Sequence, residues 1–130
     1  MVSQQHKQPD ILPLLDVRNV HKRYRKGDQV IDVLAGASFS IHAKQTVSIV
    51  GKSGAGKSTL LHLMGTLDKP DQGTVAYAGQ ELTGLGSAQL ARFRSRELGF
   101  VFQFHHLLPE FTAVENVMMP PSIRRYPKAQ

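Results

Sequence analysis

The sequence has no cysteine, so the chain can form neither a disulfide nor a thiolate metal site. It also lacks a run of the ~18 apolar residues that a membrane-spanning helix needs, and its first ten residues lack the apolar core of a secretory signal. The six histidines are scattered, apart from the neighbours His105 and His106, so we expect no structural metal. With 130 residues, 41% of them hydrophobic, we expect one cytoplasmic domain with a modest core.

The formal charge of +6 favours an anionic partner. Nucleotide, nucleic acid and the anionic leaflet of a membrane all fit this charge, and charge alone does not choose among them. The densest basic run, residues 21–26, is more typical of a solvated turn than of a binding patch.

The first half of the chain predicts an antiparallel sheet. Leu14 to Val20 and Val30 to Leu34 are β-like segments around a turn at Lys26 to Asp28. Apolar and polar residues alternate over 37–42, which indicates a half-buried strand. The β-branched run Thr46 to Val50 predicts a strand covered on both faces.

A glycine-rich loop at 51–56 comes directly after this run, and the segment beyond it is predicted to be a helix. Apolar residues at helical spacing should face inward there, namely Leu60, Leu61, Met64 and Leu67, and the turn 68–73 should end the helix. Residues 73–78 and 100–102 predict two short strands. Between them, Ser87 is expected to cap a helix with Leu90 and Phe93 inward. Thr112 and Glu115 form a capping-box pattern that should open a last helix, which Pro120 and Pro121 should end.

The loop between strand and helix carries the strongest signal. It reads GKSGAGKST and fits the phosphate-loop pattern G-x-x-x-x-G-K-[ST]. Glycines let consecutive backbone N–H groups point into one concave anion nest, and the following helix directs its positive dipole end at the same phosphates. We expect contacts to nucleotide phosphate from Gly51, Lys52, Ser53, Gly54, Ala55, Gly56, Lys57, Ser58 and Thr59. The alternative is an ordinary glycine-rich turn before a helix.

Individual roles follow from the chemistry of these side chains. Lys57 would supply a full cation to the β and γ phosphate oxygens, and Ser58 would give its hydroxyl to Mg²⁺. Upstream, Tyr24 could stack its ring on adenine without using its hydroxyl, and downstream the amide of Gln103 could reach Mg²⁺ or water. Taken singly, Tyr24 and Gln103 each favour a structural or surface interpretation over a functional one.

In this order, Tyr24, the loop Gly51 to Thr59 and Gln103 resemble the adenine-stacking loop, Walker A motif and Q-loop of ATP-binding-cassette (ABC) proteins. Residues 58–65, STLLHLMG, and 98–117, LGFVFQFHHLLPEFTAVENV, are similar to the ATPase of the lipoprotein-releasing (Lol) system. The resemblance implies an α/β fold of the phosphate-loop NTPase type, with an antiparallel β subdomain and an incomplete RecA-like core. It also implies ATP and Mg²⁺ as cofactors.

The same resemblance implies a place in a transporter. Two such ATPase subunits sit under two membrane-spanning permease subunits at the cytoplasmic face of the bacterial inner membrane and power lipoprotein release. Residues 104–111 would receive the permease, and their apolar members Phe104, Leu107, Leu108 and Phe111 suit that interface, although a partly buried loop is as good an interpretation. His105 and His106 are expected to be contact residues.

Other elements of the family do not occur in these 130 residues. There is no Leu-Ser-Gly-Gly-Gln signature, no Asp-Glu pair and no switch histidine, and Leu85 to Gln89 has the wrong order and position for the signature. We expect a loose segment 1–13, a partial nucleotide-binding domain 14–119 and an atypical tail 120–130. The chain is then a truncated transporter ATPase or a catalytically silent nucleotide-binding fragment. A non-transport ABC ATPase acting on nucleic acid is a weaker alternative, because no aromatic-basic patch supports it.

Overall fold

A computed structural model describes residues 12–123. It divides into two compact units, Met1–Leu85 and Gly86–Gln130, each of which is described by itself. Most of the expected loose segment 1–13 and part of the expected tail 120–130 lie outside the described residues.

The first unit is built on an antiparallel sheet with strand order β2-β1-β3-β4. Its strands are β1 (Leu15–Lys26), β2 (Gln29–Ile41), β3 (Gln72–Tyr77) and β4 (Gln80–Glu81). The predicted hairpin is confirmed, with Gly27 at a φ of 61° in the turn, and the strand predicted over 73–78 is confirmed as β3. The alternating segment 37–42 is not a separate strand, because β2 runs through it as far as Ile41 and stays paired with β1 across shifts in register.

Helix α1 (Lys57–Met64) packs against β1, and the core of the unit collects apolar side chains from both elements and from β3. The fully buried side chains are Val17, Val20, Leu63, Val75 and Leu82. Each contributes about 1.5–3 kcal/mol through removal from water. The prediction that Leu61 and Leu67 face inward is wrong, since they remain 48% and 46% exposed.

The end of α1 explains part of that error. The Leu67 N–H donates to the His62 carbonyl at 2.9 Å, and the Thr66 N–H donates to the Leu63 carbonyl at 3.1 Å. These two bonds form a Schellman motif, which requires a left-handed residue after the helix. Thr66 fills that position with a φ of 56°. The helix therefore stops at Met64, a turn before the predicted end.

Gly73 permits a close approach of β3 to an irregular point in β1. Asn19 of β1 has a φ of 48°, and the pairing of β1 with both neighbours shifts in register around it. Gly73 itself has a φ of 87°, and a Cβ placed on it would overlap the carbonyl oxygens of Arg18 and Asn19. No side chain fits here without moving the backbone of β1.

Two predicted strands do not form. Residues 46–50 of the first unit and 100–102 of the second have no strand assignment. Val47 and Val50 are 51% and 88% exposed, and Val101 is fully exposed. High β propensity reports a good fit to a covered, pleated surface, and no described segment pairs with either run to provide one.

The second unit contains α2 (Ser87–Glu97) and α3 (Ala113–Ile123). Ser87 does not cap α2: the cap is Gly86, whose N–H donates to Gln89 Oε1 at 3.0 Å, and Ser87 is the first helical residue. Leu90 is buried and Phe93 half-buried, as the helical spacing predicts.

The predicted capping box of α3 is confirmed. The Thr112 N–H donates to Glu115 Oε2 at 2.8 Å, and the Glu115 N–H donates to Thr112 Oγ1 at 3.3 Å. The prediction that Pro120 and Pro121 end this helix is wrong, because it continues to Ile123. Proline removes an N–H donor but its φ is helical, and on an exposed helix water can bond the carbonyls left unpaired.

Among residues 12–123, no helix is long and apolar enough to cross a membrane. No group of three or more histidines, aspartates and glutamates in that range could hold a metal ion.

Substitution of Gly73 tests the close approach to β1. Gly73→Ala should lower the free energy of unfolding by about 2–5 kcal/mol, since it combines the left-handed backbone cost with overlap against two carbonyls. Gly27→Ala is the matched control, because Gly27 also has a positive φ but nothing lies within 4 Å of its added Cβ. It should cost only about 1–2 kcal/mol. Urea unfolding followed by circular dichroism measures both, and equal losses would contradict the assignment.

Candidate functional site

The backbone of the loop Gly51 to Thr59 is set by glycines at two left-handed positions. Gly54 and Gly56 have φ values of 79° and 81°. A Cβ on Gly56 would lie 2.8 Å from the Val33 carbonyl oxygen, so β2 lies directly against this point of the loop. A Cβ on Gly54 would meet nothing within 4 Å, so the loop is open to an incoming ligand there.

Lys57 folds back over the loop that precedes it. Its Nζ donates to the carbonyl oxygens of Gly51 at 2.9 Å and Lys52 at 2.7 Å. The ion pairs found among residues 12–123 do not include Lys57, so no described carboxylate neutralises its charge. The ammonium group therefore braces the loop and leaves a full positive charge within it.

The first turn of α1 adds backbone donors to this charge. Helix α1 begins at Lys57, and the N–H groups of Lys57, Ser58 and Thr59 have no carbonyl one turn earlier in the helix to accept them. These donors and the helix dipole favour a bound anion. Ser58 is exposed on this turn, where its hydroxyl is open to a ligand. The loop thus has the chemistry of a phosphate site.

Tyr24 lies on β1 and is 41% exposed. Its hydroxyl donates to Asp68 Oδ2 at 2.9 Å. The Lys22 ammonium is 5.3 Å from the centroid of the ring. The structure therefore joins Tyr24 to the turn that follows α1, the helix that opens from the phosphate loop, which the sequence order alone did not reveal.

Asp68 is the site residue that the sequence analysis missed. Its Oδ1 accepts from Lys22 Nζ at 2.9 Å, and that ammonium also donates to the Lys69 carbonyl at 2.7 Å. Burial raises the pKa of Asp68, but the hydrogen bonds from Lys22, the Lys69 N–H and Tyr24 outweigh it, and the net pKa is lowered. Burial, followed by the bond to Asp68, raises the pKa of Tyr24.

One sequence signal could have found this partner. Val20, Lys22 and Tyr24 share one face of β1 by the two-residue period, and Val20 is in the core. A lysine on a buried face needs an acceptor, and Lys22 is only 8% exposed. The pattern calls for a carboxylate but does not say which one.

Gln103 and the segment 104–111 belong to the second unit. Gln103 is exposed, and the four apolar side chains of the segment are 42–67% exposed. Asn116 of α3 holds the segment in place: its Oδ1 accepts from the Leu108 N–H at 2.9 Å, and its Nδ2 donates to the carbonyls of Leu108, Phe111 and Thr112. The segment therefore has a fixed shape with its apolar side chains partly exposed, and the permease interface and the partly buried loop both stay predictions.

A protein-family profile described as ABC transporter matches residues 34–130. The chain belongs to the ABC transporter family. Members of this family bind nucleotide, typically with Mg²⁺.

The sequence is similar to lipoprotein-releasing system ATP-binding proteins named LolD. Over 107 residues it is 55% identical to that of Geobacter metallireducens, which covers 82% of this chain and 48% of that protein. Over 117 residues it is 51% identical to that of Shewanella frigidimarina, covering 90% and 49%. The resemblance inferred from the sequence is confirmed, and the chain spans about half the length of the curated relatives it matches.

Two solved structures support the fold class. One is the dimeric structure of a post-hydrolysis state of the ATP-binding cassette MJ0796 bound to ADP and Pi, and the other is the dimeric structure of MJ0796, described as a bacterial ABC transporter cassette. Each is 39% identical, with a TM-score of 0.81, and covers 89% of this chain and 50% of that one. The predicted fold class, a partial ABC-type phosphate-loop NTPase, is confirmed.

The lowered pKa of Asp68 predicts how its contribution to stability depends on pH. The folded-state pKa lies below the ordinary value of 3.8 for an aspartate, so the stabilisation is complete well above pH 3.8 and is lost as the pH falls through the folded value. The difference in unfolding free energy between the parent and Asp68→Asn should therefore be constant from pH 7 to pH 5 and shrink below pH 4. Urea unfolding at four pH values measures it, and a difference that grows with acidification would contradict the ion pair.

Proposed function

We propose that this chain binds Mg-ATP through the loop Gly51 to Thr59. The observation that carries the proposal is Lys57, whose unneutralised ammonium is held in the loop by the carbonyls of Gly51 and Lys52. A triphosphate brings several negative charges to that point, where the donors of the first turn of α1 are also directed. The opening at Gly54 leaves room for this approach.

Separate roles are proposed for the remaining site residues. Tyr24 stacks its exposed ring on adenine. Ser58 coordinates Mg²⁺ through its hydroxyl oxygen, and this hard cation keeps phosphate and water oxygens as its other ligands. Gln103 contributes its amide to Mg²⁺ or water. Magnesium would draw charge from the β and γ phosphates, and the chain's own part is to hold both in place.

We further propose that the chain forms part of the ATP-binding subunit of a transporter that powers lipoprotein release from the bacterial inner membrane. A second ATPase subunit would dimerise with it. Identity of 51–55% to the LolD relatives supports this, and so do the dimers named in the MJ0796 structures. The exposed segment 104–111 is the proposed contact with the permease subunits, at the cytoplasmic face of the membrane. Residues 14–119 are the proposed partial nucleotide-binding domain, flanked by 1–13 and 120–130.

A second candidate, a catalytically silent nucleotide-binding fragment, is favoured by one observation. The 130 residues contain no Asp-Glu pair to support Mg²⁺ and activate water. Hydrolysis requires an oriented water and stabilisation of charge on the transferring group as well as bound phosphates. On this candidate the chain supplies phosphate binding alone.

Lys57→Ala tests the phosphate site. The variant should bind Mg-ATP at least tenfold more weakly, because it removes the full charge within the loop and leaves the backbone donors. Calorimetric titration measures the dissociation constant. Lys26→Ala, which removes an exposed lysine from the hairpin end of β1, is the charge-matched control and should change affinity little. Unchanged affinity in a folded Lys57→Ala protein would refute the assignment.

A turnover assay separates the two candidates. The 130-residue chain should release phosphate from ATP no faster than background, since the loss of general-base catalysis alone costs typically ~10²–10⁴-fold. Phosphate release is measured with and without permease subunits, and Lys57→Ala serves as the control for a contaminating ATPase. Release that depends on Lys57 would rule out the silent fragment and point to a base among Glu81, Glu97, Glu110 and Glu115.

A further inference from the structure

Asp68 connects the ring proposed to bind adenine to the helix proposed to bind phosphate. Each of its carboxylate oxygens has its own partner on β1: Oδ2 accepts from the Tyr24 hydroxyl at 2.9 Å, and Oδ1 accepts from Lys22 Nζ at 2.9 Å. The Lys69 N–H also donates to Oδ1 at 2.7 Å. The carboxylate is thus fixed in orientation by three donors.

The backbone at Asp68 is tied to the end of α1. The N–H groups of Leu67 and Asp68 both donate to the carbonyl of His62, at 2.9 and 3.4 Å. Helix α1 is eight residues long, so roughly 12 Å of rigid backbone joins this end to the loop at Lys57. The end of α1 therefore constrains the Tyr24 hydroxyl through Asp68.

The ring of Tyr24 has little else to hold it. It is 41% exposed near the turn of the hairpin, and the ammonium of Lys22 lies over one of its faces. A base would stack on the other face. Without the hydroxyl bond to Asp68, rotation about the side-chain torsions would move that face relative to the phosphate loop, and binding would incur the cost of ordering the ring.

We propose that Asp68 is a positioning residue for the nucleotide base, which fixes the Tyr24 ring at a set distance from the phosphate loop. This inference rests on the proposed function, because the position of the ring matters only if a base stacks on it. It assigns a use to the tyrosine hydroxyl, which the stacking model based on the sequence treats as dispensable. It also predicts that Asp68 acts on the base and not on the phosphates.

The test compares Mg-ATP with Mg-tripolyphosphate, which has the phosphates but no base. Calorimetric titration of the full 130-residue chain with each ligand should give two different patterns. Tyr24→Phe and Asp68→Ala should each weaken ATP binding by about two- to tenfold and leave tripolyphosphate binding unchanged. Tyr24→Ala, which removes the ring, should weaken ATP binding by about five- to 150-fold.

Asp71→Ala is the matched control. Asp71 lies in the same turn, 3.9 Å from Lys22 Nζ, and accepts from the Arg23 N–H, but it has no bond to Tyr24. It should alter neither affinity. Tyr24→Phe guards against misfolding of Asp68→Ala, since it removes the hydroxyl without leaving the buried Lys22 unpaired. The double variant Tyr24→Phe with Asp68→Ala should bind ATP no more weakly than the single variant that binds it less tightly. The reason is that the two substitutions remove the same hydrogen bond.

Several results would overturn the inference. Equal losses for ATP and tripolyphosphate would assign Asp68 a purely structural role, and so would an effect of Asp71→Ala as large as that of Asp68→Ala. An unchanged ATP affinity in Tyr24→Phe, or losses that multiply in the double variant, would also overturn it. If neither ligand shows binding that depends on Lys57, the proposed function itself fails and this inference fails with it.

Discussion

The ammonium group of Lys22 is the constraint on which the first unit depends. It is almost fully buried on a strand whose neighbouring inward residue, Val20, is in the core. A buried cation must be paired, and leaving it unpaired costs several kcal/mol. The turn after α1 supplies two acceptors for this ammonium group, the Asp68 carboxylate and the Lys69 carbonyl. The pairing holds α1 against β1, and α1 in turn carries Lys57.

The phosphate loop, Gly51 to Thr59, is ordered in the absence of ligand. Lys57 bonds two carbonyls of the loop, and Gly56 seats the loop against the backbone of β2. Binding therefore does not require the whole segment to be ordered from a mobile state, and more of the interaction energy is available for affinity. The same bonds have a cost, since the ammonium must exchange carbonyl partners for phosphate oxygens. Phosphate carries full charge, so the exchange favours the bound state.

What the sequence predicts well is local. The hairpin around Gly27 and the capping box of Thr112 and Glu115 depend on residues within a few positions of each other, and both form as predicted. The phosphate loop has the same character, because its motif specifies both its glycines and the following helix. Asp68 was missed because its partner, Lys22, is 46 residues away. The early end of α1 was missed because Thr66, a β-branched residue, takes the left-handed position that usually belongs to glycine.

The two unformed strands show where sequence propensity stops being informative. Residues 46–50 have the composition of a covered strand, yet Val50 remains 88% exposed. A parallel strand is stabilised by neighbours on both edges and by helices on both faces, and none of these is encoded in the strand itself. The antiparallel sheet starts from a hairpin whose two strands are neighbours along the chain, and β3, although distant in sequence, finds the free edge of β1 to pair with. The exposed apolar run therefore contributes little to the free energy of unfolding. Ligand binding can offset this, because a nucleotide at 100 times its dissociation constant adds about 2.7 kcal/mol to the stability of a fold that binds it. The bound phosphates would contact α1, and the buried Lys22 already holds α1 against the sheet, so this added stability applies to the whole first unit.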